Sequence, residues 1–246
     1  MTSFEALEQF RVAAKSRGFW KHGFSFPHRA KQLFGDFDFA DKSILEIGCG
    51  RGEYCLWAGI HGAAHVVGLE PCSSGFYDAD NFFNVFADLA AELGLHNVKM
   101  VPALVQDYDA PEETVDCTVS VASINHIDEE ACINLRNNSD AWNHYVNVFR
   151  KIRRAMKPGG VLIIVDVQPR NLFPDLGVKN PFLPHIEWLK HQPPEVWASL
   201  LRECGFRGAK ISWLSNQNLL RLGMHRIPRF LSYCTGSLFR LEMRAN

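Results

Sequence analysis

The chain has 246 residues, of which 47% are hydrophobic and 22% are charged, and this composition excludes a disordered, collagenous or low-complexity polypeptide. No apolar run approaches the roughly 20 residues that a membrane-spanning helix needs, and the first residues lack a basic segment followed by an apolar one. We therefore expect a single domain that is soluble and cytoplasmic, with no membrane partner.

The formal net charge of −1 conceals an uneven distribution of charge. Residues 1–135 contain nine Lys and Arg against twenty Asp and Glu, whereas residues 136–246 contain seventeen against seven. The two halves can neutralise each other within one domain, or the basic half can present positive potential to an anionic substrate. The balanced total argues against a protein that binds nucleic acid through its overall field.

The seven cysteines are scattered along the chain and form no Cys-x-x-Cys pair. This spacing argues against a disulfide framework and against a structural zinc site. We expect reduced thiols and no bound metal.

Helical and strand-like segments alternate along the chain. Helices are predicted over residues 4–16, 53–62, 80–93, 139–156 and 195–203. Between and after them lie apolar runs typical of strands: Ser43–Ile47, His65–Leu69, Val98–Val101, Val115–Val121, Val161–Val165, 209–214 and 230–243.

This alternation predicts an α/β protein with a Rossmann-like, doubly wound, mostly parallel seven-stranded sheet and an antiparallel edge strand. We divide the domain into an N-terminal helical extension at residues 1–40, a core at 41–167, an insertion at 168–194 and a C-terminal part of the sheet at 195–246. The insertion follows the fifth strand and contains six of the twelve prolines, so it cannot continue as helix or central strand. Ligands of such sheets bind outside the carboxyl ends of the strands, where this segment is expected to lie.

A glycine-rich turn follows the first predicted strand. Gly48, Gly50 and Gly52 depart from a dinucleotide fingerprint, because the third glycine comes one residue early and an acid, Glu46, precedes the loop. Glu70 ends the second strand 24 positions after Glu46, where an acid can accept hydrogen bonds from both ribose hydroxyls. An acid beside the loop would repel a pyrophosphate, so the two carboxylates predict a nucleoside with a cationic tail, of which S-adenosylmethionine is an example.

Four segments resemble class I S-adenosylmethionine-dependent methyltransferases. Ile44–Gly52 resembles the first motif of that family and Val67–Pro71 the second. Val115–Ser120 followed by Ile124–Ile127 is similar to the fourth-strand segment, and Lys157–Gly160 is similar to the turn before the fifth strand. The matches keep the family's order and spacing from about residue 41 to residue 167.

The resemblance implies S-adenosylmethionine as cofactor and assigns roles in the core. The glycine loop would surround its methionine part and Glu70 would bind the ribose. The family often places an acid after the third strand to hold the adenine amino group, and here Gln106 or Asp107 would have to serve. The expected cofactor contacts are Glu46, Gly48, Cys49, Gly50, Gly52, Glu70, Pro71, Cys72, Leu104, Val105, Gln106, Val121 and Ala122.

His126 is the candidate catalytic base if the methyl acceptor is a hydroxyl. It follows the fourth strand beside the expected methyl position, and imidazole titrates near neutral pH. Asn125 would orient the acceptor. The alternative is that His126 is structural and caps the next helix.

The Pro-rich insertion is expected to form the acceptor pocket. Its aromatic side chains favour a sugar or a flat ring, and an arginine would suit an anion. Asp166 and His191 are further polar residues in or next to this segment. For each of these candidates, the alternative is a side chain that only packs locally or is solvated. The predicted acceptor contacts are Trp20, His22, Arg170, Asn171, His185 and Trp188.

The first functional hypothesis is a methyltransferase that modifies a hydroxyl of a saccharide or a related small molecule, which an anionic acceptor would also fit. A tRNA-base methyltransferase is the alternative, invited by the basic cluster Arg150–Arg154, which we interpret as a solvated helix face. A non-enzymatic scaffold is a third reading, against which Glu46, the glycine loop and Glu70 argue. The oligomeric state stays open, with a homodimer as one alternative.

Overall fold

The computed structural model describes residues 3–17, 26–71 and 79–246. Strands of these residues form one seven-stranded sheet. They are β1 (Ser43–Ile47), β2 (His65–Leu69), β3 (Val98–Val101), β4 (Val115–Val121), β5 (Met156–Val167), β6 (Phe206–Trp213) and β7 (Leu238–Ala245).

The strand order is β3-β2-β1-β4-β5-β7-β6, and β1 to β5 pair in parallel. β7 is antiparallel to both of its neighbours, so the antiparallel strand lies between β5 and the edge strand β6. The flanking helices are α1 (Ser3–Ser16), α2 (Phe26–Phe34), α3 (Glu53–Ile60), α4 (Ala79–Glu92), α5 (Glu129–Asn134), α6 (Ser139–Ala155), α7 (Leu172–Asp175), α8 (Pro194–Glu203), α9 (Gln217–Leu220) and α10 (Arg229–Tyr233).

Helices cover both faces of the sheet, which confirms the predicted doubly wound fold. α1 to α4 pack on one face, where Leu56 and Leu89 are fully buried. α5, α6 and α8 pack on the other, where Phe149 and Trp197 are buried against strand side chains. The strands must be apolar on both sides to satisfy this arrangement, and residues 161–167 of β5 are buried throughout.

The carboxyl ends of the central strands meet at one edge of the sheet. Ile47 at the end of β1 is in register with Leu69 of β2 and with Ser120 of β4. The chain order reverses at this point, because β2 and β4 lie on opposite sides of β1. Loops that leave these three strands therefore emerge side by side, as ligand sites of open parallel sheets do.

Two sequence predictions of local structure were wrong. Residues 157–160 were expected to form a turn before the fifth strand, but they belong to β5 as a bulge, because Met156 pairs with Val115 and Val161 with Cys117. Gly159 has a φ of 79° there, which only glycine adopts without strain. The last strand was predicted from residue 230, whereas α10 occupies Arg229–Tyr233 after Pro228, a residue whose fixed φ suits a helix start.

Among the described residues, no helix combines the length and the apolar character that crossing a membrane requires.

Candidate functional site

Two cavities open at the carboxyl edge of the sheet. The first, here called the loop cavity, has a volume of about 710 Å³ and lies between the loop after β1, the end of β2, residues 103–106 and the 3₁₀ turn Ile124–Ile127. The second, the insertion cavity, has a volume of about 680 Å³ and lies between α2, the start of α3, the end of β5 and the insertion. The two cavities meet at residues that line both of them: Val121, Ala122 and His126.

The three glycines of the loop after β1 have different roles. All have φ between 53° and 74°, in the left-handed region. A Cβ on Gly48 would lie 2.4 Å from the Cβ of Ser123, and one on Gly52 would lie 2.5 Å from the ring of Phe86, so both glycines allow close packing. A Cβ on Gly50 would meet nothing within 4 Å, and Gly50 lines the loop cavity. Gly50 thus leaves the main chain open to a ligand, whereas Gly48, which also lines the cavity, lets Ser123 pack against the loop.

The two carboxylates predicted to border the ligand lie in different places. Glu70 is half-buried, lines the loop cavity and accepts a hydrogen bond from the backbone N–H of Gly50 at 2.8 Å. Glu46 is only 2% exposed, lines neither cavity and accepts a hydrogen bond from Cys55 Sγ at 3.0 Å. Burial raises the pKa of Glu46 to about 8. The Glu46 side chain is buried behind the loop because β1 is a central strand covered on both faces. At pH 7 its carboxyl group is therefore mostly neutral.

Cys49 and Gly52 also lie outside the lining of the loop cavity, unlike the prediction. Cys49 is buried, and its sulfur and that of Cys55 pack over Gly68, where a Cβ would come within 2.7 Å of both. The loop residues alternate between the ligand side and the helix side, which the sequence motif does not distinguish. Cys72, another predicted contact, lies outside the described residues.

The far wall of the loop cavity is the segment after β3. Leu104, Val105 and Gln106 line it as predicted, together with Pro71, whereas Asp107 does not. Gln106 Nε2 donates to the carbonyl of Ile127 at 2.9 Å, which joins this segment to the 3₁₀ turn. Its Oε1 is buried and has no hydrogen-bond partner among the described residues. A buried acceptor beside two apolar side chains suits a flat heterocycle with an amino group.

His126 lies in the 3₁₀ turn after β4 and is held by two neighbours. Its Nδ1 is 2.7 Å from Glu129 Oε1, and its Nε2 is 3.4 Å from Asn125 Nδ2. The side chain of His126 is 56% exposed. The helix-capping alternative was wrong, because Asp128 caps α5 by accepting a hydrogen bond from the N–H of Ala131 at 2.8 Å.

Asn125 lines the insertion cavity and is buried. Its Oδ1 has no hydrogen-bond partner in the described part of the chain. An amide oxygen of this kind can accept a hydrogen bond from a bound hydroxyl.

Only some of the predicted acceptor contacts reach the insertion cavity. His185 lines it, but Arg170, Asn171 and Trp188 do not. Arg170 forms an exposed ion pair with Asp175 at 2.8 Å. Asn171 is fully buried, and its Nδ2 donates to the carbonyl of Tyr233 and to other groups of residues 233–237.

Arg170, Asn171 and Trp188 lie outside the predicted acceptor pocket because the insertion is irregular. Asn171 caps α7, and Trp188 begins a single 3₁₀ turn, Trp188–Lys190. No periodic pattern in such a segment indicates which side chains face inward. Trp20 and His22, the other two predicted contacts, lie outside the described residues.

Several cavity residues were missed by the sequence analysis. Arg29 lies on α2, a helix that was not predicted, and Glu53 and Tyr54 begin α3. Burial raises the pKa of Glu53 to about 7. The sequence signal that could have identified Glu53 was its position directly after Gly52, at the start of the helix that follows the glycine-rich loop. Other missed side chains surround the same space, among them Phe26, Phe182, Glu187, Lys190, Asn216, Gln217 and Asn218.

The chain is similar to known methyltransferases in sequence and in fold. A family model described as a methyltransferase domain matches residues 19–211. The chain is 31% identical over 110 residues to a tRNA U34 carboxymethyltransferase of Marinobacter nauticus, covering 45% of this chain and 29% of that protein. It is 25% identical over 130 residues to a demethylmenaquinone methyltransferase of Listeria monocytogenes, covering 53% of this chain and 46% of that protein. The chain thus spans less than half the length of these curated relatives.

A solved structure described as a SAM-dependent methyltransferase from Aquifex aeolicus has a TM-score of 0.58 to this chain at 14% identity, with 100% of both chains covered. At this level of identity the likeness supports the fold.

Proposed function

Because the chain belongs to the methyltransferase-domain family, we propose that it uses S-adenosylmethionine to methylate a hydroxyl of a saccharide or a related polar small molecule. S-Adenosylmethionine supplies a methyl carbon that its sulfonium already activates toward in-line displacement. The protein then has to align the acceptor, exclude water and receive one proton.

The loop cavity fits this cofactor in shape and in chemistry. Gly50 leaves room at the main chain for the methionine part, and the Glu70 carboxylate lies where ribose hydroxyls can donate to it. Leu104 and Val105 offer an apolar wall for adenine. We assign Gln106 Oε1, the unpartnered buried acceptor, to the adenine amino group.

The meeting of the two cavities is the observation that carries the proposal. Because Val121, Ala122 and His126 line both, a ligand in the insertion cavity can reach a methyl group held in the loop cavity. His126, the base expected from the sequence, remains a prediction in that role.

The chemistry of the insertion cavity favours a hydroxylated acceptor. Its lining combines aromatic rings, such as Tyr54, with amides, such as Asn125 and Gln217. Aromatic faces and amide groups are the partners that a sugar ring and its hydroxyls can use.

The charges around the same cavity do not require an anionic acceptor. Lys190 forms ion pairs with Glu129 at 2.8 Å and with Glu187 at 2.5 Å, so its charge is offset locally. Glu53 and Asp166 add acidic groups to the wall.

A nucleic-acid acceptor is the second candidate, because one relative is a tRNA U34 carboxymethyltransferase. The basic cluster on α6 gives it little support. Lys151 is paired with Asp109 at 2.8 Å and also donates to the carbonyl of Gln106 at 2.7 Å, and Arg153 donates to the carbonyl of Met156 at 3.0 Å. Through these contacts, Lys151 and Arg153 help to hold α6 in place.

The test is incubation of the protein with methyl-labelled S-adenosylmethionine in two parallel reactions. One contains a panel of glycosides and sugar nucleotides, and the other contains bulk tRNA. We expect label on a hydroxyl oxygen of a small molecule, located by mass spectrometry. Glu70→Gln serves as the control at low cofactor concentration, where its weaker cofactor binding should lower the transfer. Label in tRNA, with none in the small molecules, would overturn the proposal in favour of the second candidate.

A further inference from the structure

A second imidazole–carboxylate pair lines the insertion cavity. His191 Nδ1 is 3.0 Å from Asp166 Oδ1 and 3.2 Å from Asp166 Oδ2. The His191 side chain is 8% exposed and that of Asp166 is 1% exposed. Both residues belong to the cavity wall. The pair is therefore shielded from bulk solvent but open to a ligand in the cavity.

The hydrogen bonds around the pair fix the imidazole tautomer. An ionised carboxylate can only accept, so Nδ1 of His191 carries the hydrogen and donates it to Asp166. Asp166 is itself held at the end of β5, where its Oδ1 also accepts from the N–H of Val167 at 2.8 Å. Nε2 of His191 has no hydrogen-bond partner among the described residues. Its lone pair is thus available to a bound group.

The pair lies next to the place where the two cavities meet. Val165 is in register with Val121 of β4, and the N–H of Ala122 donates to the carbonyl of Val165 at 2.8 Å. Asp166 directly follows Val165, so it stands beside Ala122, which lines both cavities. A hydroxyl held at the meeting point is near the His191–Asp166 pair.

We propose that His191 is the general base of the reaction and that Asp166 is its positioning residue, an inference that rests on the proposed O-methylation. The acceptor oxygen forms a bond to the methyl carbon as the carbon–sulfur bond breaks and its electron pair goes to sulfur. The hydroxyl proton passes to Nε2 of His191, and Asp166 stabilises the resulting imidazolium.

The comparison with His126 supports this choice. Glu129, the carboxylate partner of His126, is 42% exposed and also forms an ion pair with Lys190 at 2.8 Å. Asp166, the carboxylate partner of His191, is buried. Water can compete for the His126 imidazole, whose side chain is 56% exposed, more than for that of His191, which is 8% exposed. His126 then lines the methyl position without taking the proton.

The first test reads the tautomer directly and needs no acceptor. Long-range ¹H–¹⁵N correlation spectra of protein labelled with ¹⁵N-histidine should show His191, assigned by its loss in His191→Asn, as the Nδ1–H tautomer. Asp166→Asn should change this tautomer equilibrium while the His126 signals stay in place. An Nε2–H tautomer for His191 in the wild-type protein would overturn the proposal, whatever the acceptor is.

The second test uses the acceptor found with labelled S-adenosylmethionine. His191→Asn keeps a donor to Asp166 but removes the base, so kcat should fall by roughly 10²–10⁴-fold. Calorimetry with S-adenosylhomocysteine should show unchanged cofactor-site affinity, and thermal melting should confirm the fold. His126→Asn is the matched variant. Wild-type kcat in His191→Asn, with a large loss in His126→Asn, would return the role to His126.

The pH profile of kcat separates a base from a merely structural histidine. In His191→Asn the pH profile of kcat should lose its plateau, and kcat should rise continuously with pH as the free hydroxyl ionises. An unchanged plateau would contradict the proposal. The other titratable or charged groups around this cavity remain in the variant: Arg29 on α2, Glu53 and Tyr54 on α3, His126 after β4, Asp166 on β5, and His185, Glu187 and Lys190 in the insertion.

If no small molecule is methylated, the proposed O-methylation fails while the tautomer result still reports on the His191–Asp166 pair. Failure of the two proposals is thereby distinguishable.

Discussion

Gly50 and Glu70 are joined by a hydrogen bond in which the backbone N–H of Gly50 donates to Glu70 Oε2 over 2.8 Å. The bond connects the loop after β1 to the end of β2. It holds the carboxylate at the wall of the loop cavity, so that its other oxygen, Oε1, can accept from a ligand. The same side chain thus positions the loop and presents a group for the ribose.

Glu70→Gln is expected to weaken binding at the loop cavity. The amide has one acceptor oxygen instead of two and no charge, so it cannot serve Gly50 and a ribose equally well. Hydrogen bonds to charged groups contribute about 1.5–3 kcal/mol, which corresponds to a loss of roughly ten- to a hundredfold in affinity. Calorimetry with S-adenosylhomocysteine measures it. Glu112→Gln, at an exposed position, is the control, and equal affinities in the two variants would contradict the assignment.

Gly48→Ala should destabilise the fold more than an alanine at another left-handed glycine. A Cβ on Gly48 would lie 2.4 Å from Ser123 Cβ, whereas Gly94, with a φ of 69°, has nothing within 4 Å. Both substitutions carry the cost of a left-handed residue, about 1–2 kcal/mol, and only Gly48→Ala adds the clash. Urea denaturation of the two variants compares them. Equal free energies of unfolding would show that Ser123 moves away without cost.

Most of the fold could be predicted because its signals are local. The five parallel strands are short, mostly apolar segments, and the run at residues 161–165 of β5 is continuously apolar, a pattern that follows from burial on both faces. The glycine loop was recognisable by its spacing, and the structure places Gly48, Gly50 and Glu70 in one cavity. The methyltransferase family expected from these motifs is confirmed.

The direction of individual side chains could not be predicted in the same way. Glu46 has the right position in the motif, but its burial depends on the helix that packs over β1, a tertiary contact. Asn171 and Trp188 lie in an irregular segment without periodicity. His191 was noticed as a polar residue, yet its pairing with Asp166 joins positions 25 residues apart. Such pairings appear only when the chain is folded.

Glu46→Gln should make stability less dependent on pH. The folded-state pKa of Glu46 is raised from an ordinary 4.5 to about 8, so stability is fully present below pH 4.5 and is lost as pH rises toward 8. The loss is up to about 1.4 kcal/mol per pH unit, and glutamine, which can still accept from Cys55, avoids it.

Urea denaturation at pH 5 and at pH 8 measures this effect. The variant should gain stability relative to the wild-type protein as pH rises, whereas Glu112→Gln should show no such trend. A difference between Glu46→Gln and wild type that stays constant with pH would show that Glu46 is ionised in the fold.

Asn171→Ala distinguishes a structural residue from the acceptor contact that the sequence suggested. The Asn171 side chain donates to the carbonyls of Tyr233 and Thr235 and accepts from Asn180, all away from the insertion cavity. Its removal leaves buried polar groups without partners, so we expect a loss of roughly 2–4 kcal/mol in the free energy of unfolding. Affinity for S-adenosylhomocysteine should not change at temperatures where the variant is folded.

Arg170→Ala, at the neighbouring exposed ion pair, should change stability little, since such pairs are screened by solvent. A stable Asn171→Ala protein with a raised KM for the acceptor would instead place Asn171 in the binding site.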